Sequence, residues 1–452
     1  MAMGRRKAER QEVLFVPAGD LPRSAGHPFY QALNRLLAGA DFDPWVEELC
    51  RPHYEQVERR GQPSIPPGVY FRMLLVGYFE GIDSQRGIAW RCADSLSIRE
   101  FLGLPLDRRS PDHSSLTNIR RRLPEEVFEK VFWFVLKLAH EESLISGKTV
   151  GVDSTTLEAN AAMKSIVRRG TGEDWRAYVV RLMKEEGVVE PDANPSDDEV
   201  RRYDRNRKDK KVSNEDWVSE TDPEAKIARM KDGRTHMAYK AEHVVDLESD
   251  LILAAEVHAA DRSDSETLVE SLQEAQVNLI QSCEGLEIEE VAADKGYHSA
   301  ETLSGCDGHG IRTYIPESKR KHNLKWDDKP EGQRRVVENN RRRTRRAKGK
   351  ALQKLRSERC ERSFAHLCET GGMRRSWLRG LSDVSKRYQI AAAAHNLGRI
   401  LLKLTGTGKP RAMQAGRGEF SPLSWAIRWA HRLFEPWWPS ITPRAHMAWT
   451  GV

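Results

Sequence analysis

From Gly26 to about Leu144 apolar residues recur every three to four positions. Ala32-Leu33, Leu36-Leu37, Phe42, Trp45-Val46 and Leu49 mark amphipathic helices, and Pro66-Pro67 opens another before the run from Val69 to Phe79. Ile88-Ala-Trp-Arg-Cys-Ala and Ile98-Arg-Glu-Phe-Leu continue the set. Pro111-Asp-His-Ser-Ser115 is a polar cap for Leu116-Thr-Asn-Ile-Arg-Arg-Arg122, and a short capped helix bearing Arg120 and Arg121 has the build of one that meets DNA. Val127 to Leu136 predicts a long apolar helix that packs this region onto the next.

After Lys148 the period changes. Val150-Gly-Val152 and Val291-Ala-Ala293 read as short buried strands, each closing on an aspartate, Asp153 and Asp294. Met237–Asp246 and Leu251–His258 predict an antiparallel hairpin, and the stretch from Asp264 a helix capped by Asp264 or Ser265. A helix near Ser299–Leu303 and a strand at Arg312–Ile315 follow. Pro, Asp, Asn and Ser between Ser154 and Met237, beside a basic run from Arg201 to Lys211, predict mostly loop. The fold class is therefore mixed α/β: a catalytic domain over 148–405 with a large insertion at about 155–236, an all-α region over 1–147 before it, and a Trp-rich tail over 406–452 after it. Trp425 and Trp429, four residues apart, fit a docked or dimer-contacting helix.

At 452 residues the chain exceeds one ordinary core. It has no run of eighteen apolar residues and no apolar run behind Met1–Lys7, so neither a membrane span nor a secretory signal is expected. Six scattered cysteines predict a reduced, cytoplasmic protein with free thiols and no structural zinc. The net charge of +6 is uneven: Lys319 to Arg362 holds 18 Lys and Arg against 6 Asp and Glu. Arg341, Arg342, Arg343, Arg345 and Arg346 lie within it, and the run leads to Glu361. A solvated basic helix is the plain alternative, but cations beside an acid suit phosphate binding.

Two strand-end aspartates and a helical glutamate, Asp153, Asp294 and Glu361, supply the hard oxygen donors that Mg²⁺ prefers. Two such ions about 4 Å apart activate the attacking oxygen and steady the leaving oxygen of a phosphodiester. Each acid alone is an ordinary strand-end or surface residue; the case rests on the set and its order. Lys295 and Tyr297 are candidates to touch DNA, with a Gly296-Tyr297 turn that simply packs as the alternative, and Asn160 and Lys240 are candidates to touch phosphate, with plain surface roles as the alternative. His113, His236, His243 and His258 read as packing or hydrogen-bonding residues.

Gly151-Val-Asp153-Ser-Thr-Thr-Leu-Glu-Ala-Asn160, Ala293-Asp294-Lys-Gly-Tyr-His-Ser299 and Glu361-Arg-Ser-Phe-Ala-His-Leu-Cys-Glu-Thr-Gly-Gly-Met-Arg-Arg-Ser-Trp-Leu-Arg-Gly380 resemble, in order, the three catalytic blocks of DDE transposases from bacterial insertion sequences. His395-Asn396-Leu397 resembles that family's closing helix. Gly26-His-Pro-Phe-Tyr, Gly81-Ile-Asp-Ser-Gln-Arg-Gly-Ile-Ala-Trp and Pro111-Asp-His-Ser resemble its amino-terminal DNA-binding region. The likeness spans roughly residues 25–405. It implies an RNase H-like catalytic domain and two Mg²⁺ ions, with Mn²⁺ as a substitute, held by Asp153, Asp294 and Glu361. It also implies cleavage at insertion-sequence ends, strand transfer into target DNA, and a homo-oligomer that is dimeric on paired ends. Double-stranded DNA is the expected partner, with no membrane and no small-molecule substrate. Arg120, Arg121, Lys295, Arg341, Arg342, Arg343, Arg345, Arg346, Arg362, Arg374 and Arg375 are the expected DNA contacts. Many relatives carry Tyr and Arg ahead of the glutamate and a basic residue seven after it; this chain has Lys354, Ser357 and Cys368, and Glu358 and Glu369 are the alternative acids. A nuclease without strand transfer and an inactive DNA-binding derivative are the competing readings.

Overall fold

The computed structural model describes residues 26–55, 64–207, 213–230, 233–318, 326, 330 and 332–414. The basic leader, Lys208–Lys211, most of the stretch from Lys319 to Glu331 and the Trp residues of the tail lie outside the described residues. Eight strands are described: β1 (Thr149–Glu158), β2 (Ile166–Arg168), β3 (Trp217–Ser219), β4 (Lys226–Arg229), β5 (Thr235–Asp246), β6 (Ile252–Ala259), β7 (Glu290–Ala293) and β8 (Arg312–Tyr314). Six make one mixed sheet. β5 lies antiparallel to β1 on one side and to β4 and β6 on the other; β1, β7 and β8 run parallel. The expected hairpin is β5–β6, and it forms because both strands are buried along almost their whole length.

The sheet is covered on both faces. The Asp264–Ser282 helix starts with a Ser263/Glu266 capping box, one residue earlier than the sequence reading placed the cap. It packs on one face, over β5 and β6, and the Ala347–Phe364 helix packs on the other, over β1, β5, β7 and β8. The Leu381–Thr405 helix is buried on nearly every side. Its Ala391–Ala394 run lets neighbours approach closely, and Asn396 clamps the edge strand by bonding both the N–H and the C=O of Ile252, at 2.9 and 2.8 Å. The amino-terminal helices pack against this same helix through Pro67–Glu80 and Glu125–Glu141. One continuous core runs from Phe29 to Leu401, so the expected boundary at 147/148 is not a break in packing.

The insertion is more ordered than its polar composition predicts. β2 and β3 pair, and the helices Trp175–Glu185 and Asp197–Asn206 close over a small core of Val179, Met183 and Val200. Local capping explains it: Asp174 accepts from the Ala177 N–H, and Ser196 and Glu199 form a capping box. Among the described residues no helix is long and apolar enough to cross a membrane.

Candidate carboxylate site

β1 continues past Asp153 to Glu158, so Asp153 is a mid-strand residue rather than the strand-end acid that the sequence predicts. The strand is prolonged because β5 pairs with it as far as Glu158–Ala238. On its other side, β7 pairs only to Val152–Ala293, and Asp294 follows as the cap of a short 3₁₀ turn. Asp153 and Asp294 are thus the next residues after the last rung of a parallel pair, on neighbouring chains about 4.8 Å apart. Asp294 Oδ1 accepts from the Gly296 N–H at 2.7 Å. Asp153 Oδ1 accepts from the Ser154 N–H at 2.9 Å, and its Oδ2 takes a 2.8 Å ion pair from Arg356.

Glu361 comes from the Ala347–Phe364 helix, which is seated on the sheet at Gly151. A Cβ there would lie 2.7 Å from Leu247 Cδ2, 3.0 Å from Arg356 Cγ and 3.1 Å from Cys360 Sγ, so the glycine makes room both for Leu247 and for the helix to come down onto β1. Leu352 and Leu355 pack with Leu247, Ala292 and Tyr314, while Gln353 donates to the carbonyl of Ala293, the residue before Asp294. Ser357 and Glu361 follow Gln353 at i+4 and i+8 and so share its edge of the helix. Glu361 is exposed and accepts from Ser357 Oγ at 2.9 Å. Burial pushes the neighbouring Cys360 thiol well above its usual range, and the carboxylates of Asp153, Asp250 and Glu361 add to that. Of the alternative acids, Glu358 pairs with Arg362 and Glu369 with Arg374, each at 2.5 Å. Backbone register sets Asp153 and Asp294 beside each other, Glu361 lies on the helix that covers the same sheet, and no group of three His, Cys, Asp or Glu side chains stands ready to hold an ion among the described residues.

The rung on which Asp153 faces His243 secures this helix. His243 is fully buried, bonds Ser363 Oγ and Tyr388 Oη at 2.8 Å each, and stacks on Phe364 at 4.0 Å. Burial holds its pKa well below the usual histidine range, so the ring is neutral. Beyond Phe364 the helix widens into a π turn over Ala365–Thr370. The chain then comes back along β1, where Arg375 bridges Glu158 and Arg374 reaches Thr155 Oγ1 at 3.3 Å.

The expected DNA contacts divide. Arg121, Lys295, Arg342, Arg345 and Arg346 are exposed. Arg341 is engaged with Glu317 at 2.8 Å, Arg343 with the Thr313 carbonyl at 3.0 Å, and Arg362 with Asp250 at 2.6 Å. Arg375 stacks on Trp377 with its guanidinium 4.5 Å from the ring centre. Arg120 corrects the sequence reading: it is 7% exposed and pairs with Asp383 at 3.1 Å, because its side of the helix packs toward the Leu381–Thr405 helix. Lys240 is corrected likewise: it is buried and pairs with Asp264 at 2.9 Å instead of facing phosphate. Tyr297 is fully buried, and Asn160 donates to the Trp377 carbonyl at 2.9 Å.

Sequence reasoning missed Arg356, Glu242 and Asp264. No alternation marks Glu242, because β5 is buried on both faces from Met237 to Asp246. A concavity of about 690 Å³ between Trp45, Trp133, Phe134 and Leu404 is lined by none of the three acids. A site that acts on a DNA backbone needs an accessible edge, not an enclosed pocket.

Comparison with known proteins gives the family. Residues 21–122 match a transposase domain family (DUF772), and residues 195–397 match the transposase DDE domain family. The chain belongs to the DDE transposases. The DDE match includes Asp294, Glu361 and the closing helix, while Asp153 lies in the stretch between the two matches. None of the curated proteins matches the chain. The Mos1 transposase paired-end complex with left transposon end aligns over 70% of this chain and 82% of that one, at 8% identity and a TM-score of 0.19, which carries no structural argument.

Proposed function

We propose that this protein cuts DNA at the ends of an insertion sequence and joins the freed 3′ ends to target DNA, using divalent metal ions at Asp153, Asp294 and Glu361. The observation that carries the reading is the placement of Asp153 and Asp294 side by side where the β1–β7 pairing stops, with Glu361's helix seated on the same face. The strand order, with three antiparallel strands followed by two parallel ones and helices on both faces, is what an RNase H-like catalytic domain requires.

The donor set fits the ion. All three groups offer hard oxygens; Arg356 occupies Asp153 Oδ2 at 2.8 Å, so a metal would take the other oxygen of Asp153 or displace that guanidinium. Asp153 and Asp294 would hold the metal where the β1–β7 pairing stops, and Glu361 would reach it from the helix. Bound there, Mg²⁺ supplies an activated oxygen nucleophile and charge neutralisation at the phosphate. The chain's own part is to hold the acids in register and to grip the backbone of double-stranded DNA. Lys295 follows Asp294 directly, Arg374 reaches Thr155 two residues beyond Asp153, and the exposed Arg342, Arg345 and Arg346 extend the basic surface. Holding two transposon ends at once favours a homodimer on DNA.

The test is strand cleavage of DNA carrying the element's terminal repeats, in Mg²⁺ or Mn²⁺. Asp153→Asn and Asp294→Asn are each expected to lower cleavage by about a thousandfold or more while binding of the same DNA stays near wild type. Cleavage at the wild-type rate by either purified variant refutes the site. Joining of the cut 3′ end to a second duplex separates a transposase from a nuclease that only cuts.

A further inference from the structure

The β1–β5 rung one residue beyond Asp153 pairs Ser154 with Glu242, and both lie on the opposite sheet face, under the Asp264–Ser282 helix. Glu242 is completely buried in the middle of a sheet, where an unsupported carboxylate would be costly. It is fully supported instead. Tyr297 Oη and Thr267 Oγ1 each donate to Oε2 at 2.8 Å, Ser271 Oγ donates to Oε1 at 2.5 Å, and Lys240 Nζ stands 3.4 Å away.

Two of these links lead to the acids. Tyr297 belongs to the turn that begins at Asp294, so its bond to Glu242 ties that turn down from beneath. Lys240 also pairs with Asp264 at 2.9 Å, and Asp264 Oδ1 accepts from Ser154 Oγ at 2.9 Å, next to Asp153 in the chain. Asp264 Oδ2 and Asp294 Oδ1 crowd the same glycine: a Cβ on Gly296 would lie 2.8 and 3.0 Å from them.

We infer that Glu242 is a positioning residue of the metal site. From the far side of the sheet it fixes the Asp294 turn through Tyr297 and the Asp153 segment through Lys240, Asp264 and Ser154, and so sets the spacing of the two aspartates. The inference rests on the proposed function. It adds that metal affinity depends on a carboxylate that touches neither metal nor DNA, as outer partners of metal ligands commonly do.

The experiment compares wild type, Tyr297→Phe and Glu242→Gln as full-length proteins. Tyr297→Phe removes one hydroxyl and keeps the buried ring. Binding of Mn²⁺ alone is measured from the electron paramagnetic resonance signal of the free ion, with thermal unfolding in the absence of metal alongside. Each folded variant is expected to bind Mn²⁺ about tenfold more weakly. Its cleavage should need correspondingly more Mg²⁺ and recover toward wild type at saturation, a pattern that a loss of stability alone does not produce. If Tyr297→Phe loses its cooperative unfolding transition, Glu242→Gln decides. A folded variant with wild-type Mn²⁺ affinity overturns the inference and leaves the carboxylate site standing. Wild-type protein that binds no Mn²⁺ overturns the site itself.

Discussion

Asp153 carries an ion pair to Arg356 on one oxygen and a backbone N–H on the other. Glu256 is a carboxyl held by burial instead. Burial, with Glu274 and Glu129 nearby, raises the pKa of Glu256 to about 8. A carboxyl whose folded value is raised contributes stability that is fully present below its unfolded value near 4.5 and is lost as pH rises through about 8. Glu256→Gln removes that loss. Its gain in melting temperature over wild type should therefore grow between pH 5 and pH 9, by at most about 1.4 kcal/mol of stability per pH unit inside the window. An equal shift at both pH values contradicts the assignment. Residue identities were legible where chemistry and pattern coincide, as at Asp294, which ends a short apolar run. They were not legible at Arg120 and Lys240, because whether a cation is solvated or buried against Asp383 or Asp264 depends on a partner more than twenty residues away.

The element that decides the site is the Ala347–Phe364 helix, and its seat is Gly151. The sequence marks that glycine only as part of a strand motif; its reason is steric, since Arg356 and Cys360 occupy the space a side chain would need. Gly151→Val should cost about 1–3 kcal/mol of stability by overpacking, and should lower cleavage further than that loss explains by lifting Glu361 away from the aspartates. Wild-type cleavage by folded Gly151→Val would show that the helix does not set the site. The hairpin, the strand before Asp294 and the capped helix after Ser263 were all legible, because each is a local pattern with its own stop signal. The length of β1 was not: Ser154 to Glu158 extends only because β5, reached after a long insertion, pairs with it. The ordered part of the insertion escaped for a related reason, since Val179, Met183 and Val200 become a core only once two short helices meet.

At the scale of the whole molecule, the amino-terminal helices and the sheet share one core through the Leu381–Thr405 helix, so DNA held by one part is held in fixed relation to the other. Continuous packing across two regions is invisible to a reading that divides the chain by period. The uneven charge was visible, and the exposed Arg345 and Arg346 are its clearest surface expression. Replacing both with Gln should weaken binding across unrelated DNA sequences and reduce the salt dependence of log K by about 1 to 2 units of slope. An unchanged slope removes those two arginines from the DNA surface. The central claim is that three distant acids surround one metal site, and it is tested most directly by letting the metal report its own neighbours. Fe²⁺ in place of Mg²⁺, with ascorbate and peroxide, cuts a polypeptide beside the bound ion. The expected cuts fall near residues 153, 294 and 361 and fade when excess Mg²⁺ is added. Cuts confined to other segments, or cuts at only one of the three that Mg²⁺ leaves unchanged, would contradict the account.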